Sequence, residues 1–190
     1  MIISHKYKFV FIANAKTGTA TIHKTLLKHI KDDKLIDESR WHLGEKHLSC
    51  ADLLKTRPWY KNYFFFTFVR NPWDRTLSWY FFSKKSNKKS RNTSKMPFEE
   101  FLLTRPNIWK GLDNQQKQFT AGCDFVGKTE NLQNDFDTVC DKLKIPKVTL
   151  PQKNSTEHEH YTRYYNDQTR DIVAKAFRKD IEFFNFKYGE

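Results

Sequence analysis

Apolar and polar positions along the chain are arranged in blocks that predict strands, each followed by a helix. Residues 7–13 and 62–69 form apolar, aromatic-rich runs with the length of a buried strand, and a shorter strand is predicted at 124–127. The predicted helices, several of them marked by apolar residues at helical spacing, span 20–32, 50–57, 73–85, 97–104, 113–121, 131–144 and 166–184. Strands that alternate with helices are typical of a parallel sheet covered by helices on both faces, so an α/β fold is predicted.

The length of the chain predicts a single domain over residues 1–190. A chain of this size can bury a sizeable core in one domain. The sequence shows no internal repeat and no linker that would divide it.

A short polar loop lies between the first predicted strand and the first predicted helix. It consists of Lys16, Thr17, Gly18, Thr19, Ala20 and Thr21. The N–H groups of a first helical turn and the helix dipole favour an anion, and Gly18 lets the backbone approach it closely. Lys16 adds a full charge and the threonines add hydroxyl donors. The loop therefore predicts a phosphate site, although a simple strand–helix turn would carry the same residue types.

The loop lacks the Walker A pattern, in which a glycine-rich stretch ends in Gly-Lys-Ser/Thr. Here the lysine precedes the single glycine of the loop. An ATP-dependent kinase is therefore disfavoured.

A second basic segment follows the aromatic strand. Arg70 stands directly after Val69, and Ser78 lies eight residues further on in the predicted helix. Arginine presents a planar fork of donors to a phosphate. Ligands collect at the carboxyl ends of parallel strands, so the two basic strand ends are predicted to bind two separate phosphates. The alternative is that Arg70 and Arg75 are surface charges and that Asp74 pairs with one of them.

Together these segments resemble the PAPS-dependent sulfotransferases, in particular the branch that contains the carbohydrate O-sulfotransferases. Residues 11–26 resemble the loop for the 5′-phosphosulfate, and residues 66–81 resemble the 3′-phosphate site with its RNPxxRxxSxY pattern. Residues 124–132 and 164–188 resemble two further stretches of the family. The resemblance is weakest at 82–112 and 141–160.

The resemblance implies a P-loop-like nucleotide-binding fold and a sulfuryl transfer. PAPS is then the co-substrate, PAP the product, and a hydroxyl or amine of a carbohydrate the expected acceptor, with no metal required. The loop from Lys16 to Thr21 would bind the 5′-phosphosulfate, and Arg70 with Ser78 would bind the 3′-phosphate. Lys16 would also stabilise the leaving phosphate during in-line transfer.

The general base is assigned by the same resemblance. A family histidine that precedes the strand leading to the 3′-phosphate site corresponds to His47, with His42 as the second candidate. An imidazole titrates near pH ~6.5, so little tuning is needed. The alternative is that His47 merely starts the short helix at Ser49–Leu54. Three glutamines before the last strand are candidates for contacts with adenine or acceptor, or for a polar loop: Gln115, Gln116 and Gln118.

The charge balance suggests an acidic partner. The net charge is +12, from 34 basic and 22 acidic residues, and the densest basic run is Lys84–Arg91. A surplus of this size attracts polyanions, which fits an acidic glycan acceptor, although this run is equally typical of a solvated loop. A nucleic-acid-binding module is the alternative, but most aromatic residues lie inside apolar strands and not between basic residues.

Three features predict a cytoplasmic protein without a membrane span. The three cysteines are widely spaced, which favours reduced thiols over a disulfide framework. No apolar stretch approaches the roughly 20 residues that cross a bilayer. The N-terminal residues do not have the layout of a signal peptide.

Overall fold

The computed structural model describes residues 1–30, 36–37, 49–85, 96–104, 115–151 and 159–190. The chain divides into two compact units. The first unit comprises Met1–Val69 and Gln118–Asn154, and the second comprises Arg70–Lys117 and Ser155–Glu190. The single domain over residues 1–190 stays a prediction.

The first unit is built on a five-stranded sheet with the order β3-β1-β2-β4-β5. Its strands are β1 (Ile2–Ser4), β2 (Phe9–Phe11), β3 (Ile36–Asp37), β4 (Phe64–Val69) and β5 (Phe125–Lys128). β2, β4 and β5 are parallel, as predicted. β1 pairs antiparallel with both β2 and β3, and neither β1 nor the edge strand β3 was predicted.

Eight α-helices are found in the described part of the chain. They are α1 (Thr19–His29), α2 (Cys50–Thr56), α3 (Pro72–Lys85), α4 (Phe98–Leu103), α5 (Gln115–Thr120), α6 (Leu132–Leu143), α7 (Asp167–Ala176) and α8 (Arg178–Phe184). Short 3₁₀ segments lie at Pro58–Asn62, Thr129–Asn131 and Tyr161–Tyr164. The single helix predicted over 166–184 is therefore wrong in one respect, because it is interrupted at Phe177 between α7 and α8.

Side chains of the sheet alternate between two apolar cores, as the period of a strand requires. Phe9, Phe11, Phe66 and Phe68 pack on one face with the apolar sides of α1 and α6. The opposite face carries Ile3, Val10, Ile12 and Phe65 and is covered by Cys50 and Leu53 of α2. The predicted α/β architecture, with helices on both faces of a largely parallel sheet, is confirmed.

The second unit is helical, and aromatic rings fill its core. Trp73 and Tyr80 of α3 pack with Phe98 and Phe101 of α4 and with Phe177, which follows α7. Tyr80 also donates its hydroxyl proton to the Met96 carbonyl at 2.8 Å. This core holds α3, and with it the N-terminal turn of α3 next to Arg70.

Candidate active site

The loop after β2 is held by its own side chains. Asn14, only 1% exposed, donates its amide proton to the Phe68 carbonyl of β4 at 3.1 Å. The hydroxyls of Thr17 and Thr19 both donate to the Asn14 carbonyl, the first at 3.0 Å. The hydrogen bonds of the two threonine hydroxyls thus fix the shape of the loop. The Asn14 amide connects the loop, which follows β2, to the neighbouring strand β4.

The backbone of this loop turns through two left-handed residues. Lys16 has φ 67° and Gly18 has φ 75°. A side chain disfavours this region, and a Cβ added to Gly18 would also lie 2.9 Å from Leu132 of α6, so both backbone and packing favour glycine there. Lys16 adopts the same region despite its side chain, which costs roughly 1 kcal/mol or more. Alternation of this kind turns successive N–H groups toward one concavity that suits an anion.

Helix α1 begins directly after this turn. Gly18 is its N-cap, and the Gly18 carbonyl accepts the N–H groups of Thr21 and Ile22 at 3.0 and 3.2 Å. Residues 19–22, all of them described, include no Asp or Glu to offset the positive end of the helix dipole. Lys16, Thr17, Gly18, Thr19, Ala20 and Thr21 thus lie together at a positive helix end. A phosphate or sulfate group is the chemistry that this end suits.

The second predicted segment begins where β4 ends. Asn71 accepts the Trp73 N–H at 3.2 Å and donates to the Lys187 carbonyl at 2.8 Å, which fixes the start of α3. Arg70 donates its Nε proton to Asp74 Oδ2 at 2.8 Å, and both side chains are about one-fifth exposed, at 17% and 21%. The carboxylate therefore orients the guanidinium plane. Ser78 is half-buried two turns along the same helix.

Arg75 is buried, whereas one interpretation of the sequence made it a surface charge. Its side chain is 2% exposed and donates from Nη2 to Gln115 Oε1 at 2.7 Å. Burial lowers the pKa of Arg75 to about 10, and the negative charge of Asp180 opposes that shift. Arg75 is therefore a buried structural cation.

Gln116 is fully buried. The interpretation in which it contacts adenine or acceptor is therefore excluded in this conformation. Its carboxamide accepts the Arg70 N–H and donates to the Arg70 carbonyl, both at 2.9 Å. Sequence reasoning had no signal for this contact, because 46 positions separate the two residues.

Several predicted residues lie outside the part of the chain that the structure describes. These are His42, His47 and most of the basic run 84–91. Within the described ranges, no three His, Cys, Asp or Glu side chains are grouped to hold a metal ion. The described helices include none that is long and apolar enough to cross a membrane.

Comparison with known proteins identifies the class of protein that carries this fold and these loops. The model of the sulfotransferase family matches residues 1–187, so the chain belongs to the sulfotransferase family. The predicted sulfotransferase family is confirmed, and so is the predicted enzyme class, a PAPS-dependent sulfotransferase with PAPS as co-substrate. The branch that contains the carbohydrate O-sulfotransferases stays a prediction.

Proteins that are similar to this chain include the following two. An uncharacterized protein of Archaeoglobus fulgidus is 27% identical over 109 residues, which are 55% of this chain and 87% of that protein. The crystal structure of mouse sulfotransferase SULT7A1 complexed with PAP matches with a TM-score of 0.58 and 13% identity, over 94% of this chain and 85% of that one. At that identity the structural match supports the fold alone, which agrees with the predicted nucleotide-binding architecture.

Proposed function

We propose that the chain transfers the sulfuryl group of PAPS to a hydroxyl of a carbohydrate acceptor. The observation that carries the proposal is the loop from Lys16 to Thr21, whose left-handed turn and helix N-terminus suit the 5′-phosphosulfate. Arg70 and Ser78 bind the 3′-phosphate. The acceptor oxygen attacks sulfur, the bond from sulfur to the bridging oxygen breaks, and PAP leaves with the electron pair.

The residues of this chain perform three tasks in that reaction. Lys16 and the N–H groups of the loop stabilise the charge that builds on the leaving phosphate. Arg70 fixes the adenosine end of the donor, which holds the sulfur in line with the acceptor. His47 takes the acceptor proton as the new bond forms, and His42 is the alternative base.

The acceptor is proposed to be an acidic glycan. A net charge of +12 draws anionic ligands, and the basic run 84–91 is the densest source of that charge. We place the reaction in the cytoplasm, because the three widely spaced cysteines favour reduced thiols.

Thermal stabilisation by nucleotides tests the donor assignment. PAP, ADP and adenosine 5′-phosphate are compared at two salt concentrations. A ligand at 100 times its Kd stabilises by about 2.7 kcal/mol, and each kcal/mol shifts Tm by roughly 2–4 °C in a chain of this length. A shift specific to PAP at both salt concentrations supports the proposal, whereas equal shifts for all three contradict it.

Arg70→Ala is expected to weaken PAP binding by about 10- to 150-fold, because a hydrogen-bonded charge contributes roughly 1.5–3 kcal/mol. Binding of adenosine 5′-phosphosulfate, which lacks the 3′-phosphate, should change little. Calorimetric titration of both ligands measures the difference. Arg178→Ala is the matched control, because Arg178 is an exposed arginine of the same unit, 68% accessible. If Arg70→Ala weakens both ligands equally, the 3′-phosphate assignment is wrong.

His47→Ala is expected to lower the transfer rate by about 10²-fold or more, since a general base typically contributes that much. The Kd for PAP should stay as in the wild type, because the base acts on the acceptor. Single-turnover transfer and PAP titration give the two numbers. Full activity of this variant, together with loss of activity in His42→Ala, would assign the base to His42.

A further inference from the structure

The backbone of Arg70 is bound at the point where the sheet stops supporting it. The last pair of the β4–β5 ladder joins Val69 to Lys128, one residue before Arg70. The Gln116 carboxamide then binds both the N–H and the C=O of Arg70, at 2.9 Å each. The side-chain amide thus makes the two backbone hydrogen bonds that a neighbouring strand would otherwise make with this residue. Both peptide planes of Arg70 are fixed, and with them the direction in which its side chain leaves the backbone.

Gln116 is itself held by a buried carboxylate. Asp180 of α8 accepts the Gln116 N–H at Oδ2 and the Lys117 N–H at Oδ1, both at 3.0 Å. Gln116 and Asp180 are each 0% exposed. The carboxylate therefore fixes the first described turn of α5, from which the Gln116 side chain reaches Arg70.

A buried cation accompanies the buried carboxylate. The charge of Asp180 acts on the guanidinium of Arg75, which is 2% exposed and bonded to Gln115. Arg75 and Asp180 thus bind two successive glutamines, one through a side chain and the other through its backbone. These groups, like Arg70, belong to the second unit.

Such a cluster is poorly explained by stability alone. Apolar residues of similar volume often replace a buried ion pair without loss of stability. A polar cluster whose hydrogen bonds are all formed holds its side chains in one fixed geometry. Groups that bind a ligand must be held to within about 0.5 Å of the position that binding requires. The geometry points to Gln116 and Asp180 as positioning residues that aim Arg70 at the 3′-phosphate, an inference that rests on the proposed function.

The test measures the Kd for adenosine 5′-phosphate and the Kd for PAP, because the first divided by the second isolates the contribution of the 3′-phosphate. Gln116→Met keeps the length and volume of the side chain but removes the amide. We expect the ratio to fall by about tenfold or more, with the Kd for adenosine 5′-phosphate unchanged. In an Arg70→Ala background the same change should have no further effect on the ratio, since there is no guanidinium left to aim.

Two further variants separate positioning from folding. Thr169→Val removes the hydroxyl of a fully buried capping-box residue in the same unit, so it should lower Tm and leave the ratio unchanged. Gln116→Asn keeps the amide but withdraws it from Arg70 by one methylene, and it is compared in the same way if Gln116→Met does not fold.

The possible outcomes bear on different claims. A wild-type ratio near one would contradict the proposed 3′-phosphate site itself. A high wild-type ratio that persists in a folded Gln116 variant would overturn the positioning role and leave the proposed function intact. A ratio that falls equally in Thr169→Val would also overturn it, since general loss of stability would then be the cause.

Discussion

Lys16→Ala is expected to lower the turnover number for sulfuryl transfer by about 10²–10³-fold, the usual cost of removing one donor that stabilises a developing oxyanion. The Kd for PAP should rise less than tenfold. Negative charge on the leaving phosphate grows as the bond to sulfur breaks, so the ammonium group interacts more strongly with the transition state than with bound donor. Lys16 lies in the left-handed turn, two residues before the N-cap of α1.

Rapid-quench measurement of a single turnover, together with PAP titration, tests this expectation. Lys24→Ala is the matched control, because Lys24 is an exposed lysine of α1 and its loss changes the net charge as much as the loss of Lys16 does. If Lys16→Ala loses turnover and PAP affinity by the same factor, Lys16 contributes uniform binding and has no special role in the transition state. If Lys24→Ala has the same effect, the loss in Lys16→Ala reflects only weaker long-range attraction between the protein and the anionic donor.

The central parallel strands β2 and β4 could be predicted because each lies in a continuous, largely apolar run. Phe64–Val69 is buried on both faces and therefore contains almost no polar position. The antiparallel strands Ile2–Ser4 and Ile36–Asp37 are three and two residues long. Runs of that length carry no periodicity, and their pairing is decided by tertiary contacts.

The break between α7 and α8 was missed for a similar reason. Apolar residues continue at helical spacing through Val173, Phe177 and Ile181, so the pattern predicts one helix. Neither glycine nor proline marks Phe177, whose φ of −119° departs from helical geometry. The interruption is local in the backbone and leaves the apolar face continuous.

The two polar or basic loops that follow β2 and β4 could be predicted from the sequence, whereas the support for Arg70 could not. A strand followed by a basic turn is a local pattern, and both loops show it. Gln116 and Asp180 are distant in sequence from Arg70, and each is a residue type that is usually exposed. One signal did exist. Asp180 lies three residues after Phe177, on the buried side of the helix, and a charged residue in that position indicates a buried partner.

Asp180→Ala is expected to destabilise the protein by about 3–5 kcal/mol, because it leaves the buried guanidinium of Arg75 without its counter-charge and two N–H groups of α5 without their acceptor. For a chain of this size that corresponds to a fall in Tm of roughly 6–20 °C. Urea denaturation in the absence of nucleotide measures the free energy of unfolding directly. Asp171→Ala is the control, since Asp171 is 61% exposed and its loss should change that free energy by no more than about 0.5 kcal/mol.

A double replacement separates the effect of charge from that of packing. Arg75→Met combined with Asp180→Leu removes both buried charges while it keeps most of the side-chain volume, so a large part of the stability lost in Asp180→Ala should return. Discrimination between PAP and adenosine 5′-phosphate should not return with it, because the carboxylate that fixes Gln116 is still missing. A double variant as unstable as Asp180→Ala would mean that the bonds to the α5 backbone, and not the charge of Arg75, account for the loss. Recovery of stability without recovery of discrimination would show that the two buried charges are retained for the geometry of Arg70.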